Sequence, residues 1–158
     1  MSKIIFKNNR DLQFLISQLK SENKKIVFTN GVFDILHRGH VQYLNEAKKL
    51  GDSLIVGINS DSSVRKIKGN NRPVMNENDR AYVLTNLKAV DYVVIFEEEN
   101  PYNLIKNIQP DFLVKGGDWK KGEIIGSDIV EKSGGKVLCL KYLVNYSTTS
   151  IIQKIQEP

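Results

Sequence analysis

The stretch Lys25-Ile26-Val27-Phe28-Thr29-Asn30-Gly31-Val32-Phe33-Asp34-Ile35-Leu36-His37-Arg38-Gly39-His40 decides the fold. Lys25–Thr29 is a short apolar run bounded by turn residues, and from about His40 onward Val41, Leu44 and Ala47 recur at helical spacing. A strand feeding directly into a helix is the opening of a βαβ unit. The same alternation continues along the chain. Four more nearly continuous apolar runs, Ser53–Asn59, Tyr92–Phe96, Phe112–Lys115 and Lys136–Leu140, read as parallel strands covered on both faces. Helices are expected over Arg10–Ser21, where Leu12, Leu15, Ile16 and Leu19 form one stripe, and over Glu77–Asn86, Pro101–Ile108, Gly126–Ser133 and Thr149–Gln156. The helix after His40 ends at Gly51, a candidate left-handed cap. Lys66–Met75 is the longest stretch without a pattern. The expectation is an α/β fold: one Rossmann-like domain over residues 1–158, a five-stranded parallel sheet with helices on both faces.

Composition limits the functions open to this fold. A chain of 158 residues with 41% hydrophobic and 26% charged residues can bury a core of its own, which excludes disorder, collagen and coiled coil. Cys139 is the single cysteine and lies in Val137-Leu138-Cys139-Leu140, so it reads as a small buried hydrophobe in a reducing compartment. No signal peptide is read at the N-terminus and no run approaches the roughly 20 apolar residues of a spanning helix, so a cytoplasmic protein without a membrane partner is expected. The net charge of +5 admits polyanions. Its basic residues are scattered among turns without interleaved aromatics, so nucleic acid is not the expected partner.

Ligands of open α/β sheets bind outside the carboxyl ends of the strands. There, His37 and His40 flank Gly39 at a helix start, where free backbone N–H groups and a partial positive charge favour an anion, and the glycine's missing side chain is expected to leave room for a ligand against the backbone. A zinc site is disfavoured because the chain has only two histidines and its one cysteine falls in a predicted strand. Polar residues follow each later strand. Asn59 and Asp61 end the second, with Asp61 a candidate helix cap. Lys66, Lys68, Arg72 and Arg80 offer point charges and planar forks for phosphate. Lys115-Gly116-Gly117-Asp118-Trp119 combines a cation, a tight turn and a flat ring, and Ser147-Thr148-Thr149-Ser150 puts more hydroxyls at the last helix start than one cap needs.

His37-Arg38-Gly39-His40 resembles the signature of the nucleotidyltransferases of the cytidylyltransferase type, which have the HUP-type fold. The phrases Phe28–Asp34, Lys68-Gly69, Arg72-Pro73, Leu113–Trp119 and Ser147-Thr148-Thr149 are similar to the branch that adenylylates D-glycero-β-D-manno-heptose 1-phosphate. The resemblance implies attack of a sugar 1-phosphate on the α-phosphorus of ATP, with loss of pyrophosphate, Mg²⁺ on the ATP phosphates and no protein-only metal site. It implies catalytic roles for His37, His40 and Lys115 and nucleotide contacts from Thr29, Asn30, Gly31, Phe33, Asp34, Gly39, Asn59, Arg80, Gly116, Asp118, Trp119, Ser147, Thr148 and Thr149. Lys68 and Arg72 would meet the acceptor phosphate. A homodimer or higher homo-oligomer is compatible with it. Glycerol 3-phosphate cytidylyltransferase, another small-acceptor nucleotidyltransferase, and a nucleotide-binding sensor are the competing readings.

Overall fold

The computed structural model describes residues 4–6, 9–120, 122–141, 143 and 145–158. Its core is a parallel sheet of β1 (Ile4–Phe6), β2 (Ile26–Gly31), β3 (Ser53–Asn59), β4 (Tyr92–Phe96), β5 (Phe112–Gly116) and β6 (Lys136–Leu140), in the order β1-β4-β3-β2-β5-β6. All five expected strands are present. The sixth, β1, pairs its three residues with Tyr92, Val93 and Val94 at the sheet edge; three residues are too few for a periodicity signal.

Side chains alternate across the sheet, so each strand feeds two cores. Phe28, Ile55 and Val94 face Leu12, Leu15 and Ile16 of α1 (Asn9–Ser21) and Ile105 of α5 (Tyr102–Ile108). Val27, Val56 and Val93 face Tyr43 and Leu44 of α2 (Arg38–Lys48) and Ala81 and Leu84 of α4 (Glu77–Thr85). The remaining helices are α3 (Asp61–Lys68), α6 (Ser127–Lys132) and α7 (Thr148–Gln156). Carboxylates secure the amino ends of the strands: Asp52 accepts from Lys25 N–H at 2.7 Å, Asp111 from Ile26 N–H at 2.9 Å and Asp91 from Leu54 N–H at 2.7 Å. The opposite edge is left for ligands.

Four local expectations change. Lys49, in right-handed geometry, caps α2, and Gly51 serves a different need, since a Cβ there would lie 2.7 Å from Lys25 O and 2.8 Å from Val27 Cγ2. Ser60, not Asp61, caps α3, its Oγ accepting from Ser63 N–H; Asp61 is the first helical residue. Lys66 to Lys68 belong to that helix, which shortens the patternless stretch. Cys139 is exposed, because β6 is an edge strand whose side chains are only partly covered.

Candidate active site

The chain leaves β2, moves through β3 and β4 to one side, and returns to β5 and β6 on the other. The carboxyl ends of β2 and β5 therefore flank the switch point of the sheet, where such folds bind ligands. Beyond β2, Phe33 takes a left-handed backbone (φ 49°) and His37 an extended one that opens α2 without a side-chain cap. The first N–H groups of α2 thus have no side-chain cap. The rings of His37 and His40 stack with centroids 3.8 Å apart and planes 23° off parallel. Phe33 lies against His40 at 5.1 Å, and Tyr146 against His37 at 6.1 Å.

Gly39 is what makes the stack fit. A Cβ there would lie 2.9 Å from the His37 ring and 3.0 Å from Tyr146 Cβ, so the space expected for a ligand is filled by protein. Burial pushes His40 down to about 4, with His37 beside it adding to the shift, and burial lowers His37 as well. Both rings are neutral near pH 7 and each carries one N–H donor. Their Nδ1 atoms and Asn30 Oδ1 are buried with no hydrogen-bond partner among the described residues. Unpartnered buried polar atoms are uncommon and call for a reason.

Lys115 stands on β5, next to β2 in the sheet, and burial pushes its amine down to about 8. No hydrogen bond or ion pair joins it to another described residue. After it, Gly117 turns with φ 100° and donates to Leu140 O at 2.9 Å. Trp119 Nε1 donates to Gly116 O at 3.0 Å, which fixes a ring still 47% exposed, and Asp118 is exposed beside it.

α7 closes the same end. Ser147 caps it by accepting from Ser150 N–H at 3.0 Å, while Thr148 Oγ1 donates to Ile35 O at 3.1 Å and so fastens the helix start to the histidine turn. Thr149 is exposed, and its hydroxyl has no partner among the described residues. Of the four hydroxyls in this cluster, Ser147 caps, Thr148 docks, Ser150 donates back to Ser147 O at 2.9 Å, and Thr149 is left for a ligand.

Other expected site residues are engaged within the protein. Thr29 is buried with its hydroxyl 2.7 Å from that of Tyr43, which donates to Val114 O, and Asn59 donates to Ser63 Oγ at 3.0 Å. Asp34 accepts from Arg72 Nε at 2.8 Å, Val74 N–H at 2.9 Å and Met75 N–H at 2.9 Å. Burial alone would raise its carboxyl; the Met75 and Val74 amides and the Arg72 guanidinium outweigh that and hold it below the usual range. Asp34 therefore belts the loop after α3 to the histidine turn and orients Arg72. Arg80 is buried and held in three directions, by Met75 O, Val32 O and Asp61. Lys68 is exposed in the last turn of α3. Neither the Asp34 belt nor the Tyr146 ring was anticipated as a functional contact, because each joins segments far apart in sequence.

Two neutral imidazoles, a lysine without a partner among the described residues and two helix starts at one end of the sheet suit a chain of phosphates, as a nucleotidyltransferase must bind. The chain belongs to the cytidylyltransferase-like family, whose model matches residues 28–154. It is 54% identical over 145 residues to the bifunctional protein HldE of Wolinella succinogenes, covering 92% of this chain and 30% of that protein. Against the protein of the same name from Helicobacter pylori (strain HPAG1) it is 48% identical over 145 residues, covering 92% and 30%. The chain thus spans about a third of the curated relatives it matches. Among solved structures, a lipopolysaccharide core biosynthesis protein from Thermoplasma volcanium is similar at TM-score 0.63 and 34% identity, over 78% of this chain and 99% of that one. A pantoate-beta-alanine ligase from Francisella tularensis shares the fold alone, at TM-score 0.64 and 17% identity over 95% of this chain and 76% of that one. Among the described residues no helix is long and apolar enough to cross a membrane.

Proposed function

We propose that this chain transfers AMP from ATP to D-glycero-β-D-manno-heptose 1-phosphate, releasing pyrophosphate. The observation that carries the reading is the stacked, neutral His37 and His40 pair at the switch point, with Lys115 unpaired on the neighbouring strand. Support for the sugar comes from the resemblance of the Phe28–Asp34 and Leu113–Trp119 phrases to heptose 1-phosphate adenylyltransferases, and from the similarity to HldE proteins. A phosphate oxygen of the sugar forms a bond to the α-phosphorus in line with the α–β bridging bond. That bond breaks, and pyrophosphate departs with its electron pair.

The acceptor already carries a nucleophilic oxygen, so the protein's work is alignment and charge stabilisation. His40 and His37 donate to the α- and β-phosphate oxygens. Lys115 and the α7 start, with Thr149, hold the outer phosphates, and Arg72, oriented by Asp34, holds the sugar phosphate. Gly116, Asp118 and Trp119 flank the nucleoside. Mg²⁺ would enter with ATP, as the resemblance to the family implies, and would offset the mutual repulsion of the phosphates. The cytoplasm, where ATP is available, is the proposed location.

A pyrophosphate-release screen tests this. ATP with heptose 1-phosphate is expected to outpace CTP with glycerol 3-phosphate, and the opposite ranking would assign the chain to the cytidylyltransferase reading. ATP binding without pyrophosphate from any acceptor would favour a sensor.

Lys115 gives the reaction a pH signature. A lowered lysine is charged below about 8 and loses its proton as the pH rises through that value. The kcat/KM for ATP reports the free enzyme, so it should fall above about pH 8. Lys115→Arg keeps its charge throughout and should abolish that alkaline fall. The same fall in both proteins would remove Lys115 from the phosphate site.

A further inference from the structure

No hydrogen bond with a described residue fixes the His37 ring, and its Nδ1 is buried without a partner. Packing must therefore orient it. Four rings follow one another at the site: Phe33 meets His40 at 5.1 Å, His40 meets His37 at 3.8 Å, and His37 meets Tyr146 at 6.1 Å with planes 29° off parallel. The last separation lies within the range over which aromatic rings attract. Gly39 shows where Tyr146 enters, since a Cβ there would lie 2.9 Å from Nδ1 and Cε1 of His37 and 3.0 Å from Tyr146 Cβ. Tyr146 thus leaves the chain beside the Nδ1 edge of the imidazole. Asn145, in left-handed geometry at φ 72°, turns the chain just before it, and Thr148 beyond it fastens to Ile35 O at 3.1 Å. Tyr146 itself is 42% exposed and makes no hydrogen bond with a described residue, so neither core packing nor its hydroxyl accounts for its place.

We propose that Tyr146 is a positioning residue, whose ring covers the Nδ1 edge of His37 and holds the imidazole against His40 so that Nε2 serves the phosphates. The inference rests on the phosphate role given to His37 above. Its first ground is the place of the proton. A neutral imidazole has one donor and one acceptor nitrogen. Orphaned buried N–H groups are rare in folded chains, so with Nδ1 sealed from water the proton belongs on Nε2, the atom left to donate. Its second ground is burial. Burial is what lowers His37, and the Tyr146 ring forms part of that cover together with His40. The third is linkage. Tyr146 runs directly into Ser147, Thr148 and Thr149, so the segment that offers Thr149 to the outer phosphates also carries the ring that steers His37.

Tyr146→Ala and Tyr146→Phe test the proposal on the whole chain, by steady-state pyrophosphate release and by ¹⁵N NMR of the imidazoles. The chain has only two histidines, so His40→Asn identifies the His37 signals. Tyr146→Ala should lower kcat about tenfold, since the imidazole is displaced rather than removed, with the KM for ATP within about twofold of wild type. With its cover gone, His37 should titrate at a higher pH, toward the ordinary histidine value, and its proton should appear on Nδ1 as well as Nε2. Tyr146→Phe keeps the ring and should restore both the rate and the His37 signals. Unmoved His37 signals in Tyr146→Ala overturn the proposal whatever the rate. A raised KM for ATP at wild-type kcat also overturns it, by giving Tyr146 the holding of α7 alone, as does a phenylalanine variant as impaired as the alanine one. If wild type releases no pyrophosphate with any acceptor, yet the His37 signals move in Tyr146→Ala and return in Tyr146→Phe, the proposed reaction falls and the positioning of His37 stands.

Discussion

His40→Ala is expected to slow pyrophosphate release by about 10²–10³-fold, the usual cost of losing one preorganised donor at a centre of developing charge. The ring is half-buried between Phe33 and His37, and its Nδ1 has no partner among the described residues. Removing it therefore breaks no hydrogen bond with a described residue. What the fold loses is a packed ring pair, on the order of 1 kcal/mol. Initial rates and a urea midpoint, measured together, separate the two effects. His40→Asn, which keeps an N–H donor, should fall between wild type and alanine. An alanine variant within tenfold of wild-type turnover would remove His40 from the reaction.

The fold was legible because the signals for it are local. Apolar runs and 3.6-residue stripes set five strands and six helices within one to three residues, whereas α3 (Asp61–Lys68), mostly polar and short, was not expected as a helix. What escaped depends on contacts between distant segments. The pairing of β1 joins Ile4 to Tyr92, and nothing in three residues announces a partner so far along the chain. Cys139 sits in a run as apolar as the buried strands, and only the strand order, which puts β6 at the edge, exposes it. Ser60 and Asp61 are both good cap residues, and the local backbone chooses between them.

The site divides along the same line. His37 and His40 could be placed from the strand-to-helix junction, three residues apart at a helix start. The function of Gly39 could not, because it depends on the ring it admits and on Tyr146, more than a hundred residues further on. Asp34 also reads differently once its partners are known. As a polar residue after a strand it suggests ligand contact, yet its carboxylate is taken up by Arg72, Val74 and Met75. It thereby sets the position of a basic residue that the sequence could only mark as basic.

Arg80 carries the largest expected effect on stability. Its side chain is wholly buried, with Nε donating to Met75 O at 3.0 Å, Nη1 to Val32 O at 2.8 Å and Nη2 to Asp61 Oδ1 at 2.7 Å. One guanidinium thus ties together the chain after β2, the loop before α4 and the first residue of α3. Arg80→Leu leaves the carboxylate and two carbonyls without these donors. Breaking a buried pair costs about 3–5 kcal/mol, and because the Asp61 side chain is 23% exposed and can recover water, the lower end applies. A loss of about 3 kcal/mol is a large share of the 5–15 kcal/mol that holds a typical domain together. It should appear as a reduced urea midpoint with little change in slope. The resemblance to nucleotidyltransferases gives Arg80 a nucleotide contact instead, which would require the guanidinium to give up one of these partners. Arg80→Lys distinguishes the two: a structural arginine predicts lost stability whether or not ATP is present, whereas a variant with a wild-type midpoint and weakened ATP binding would return Arg80 to the nucleotide.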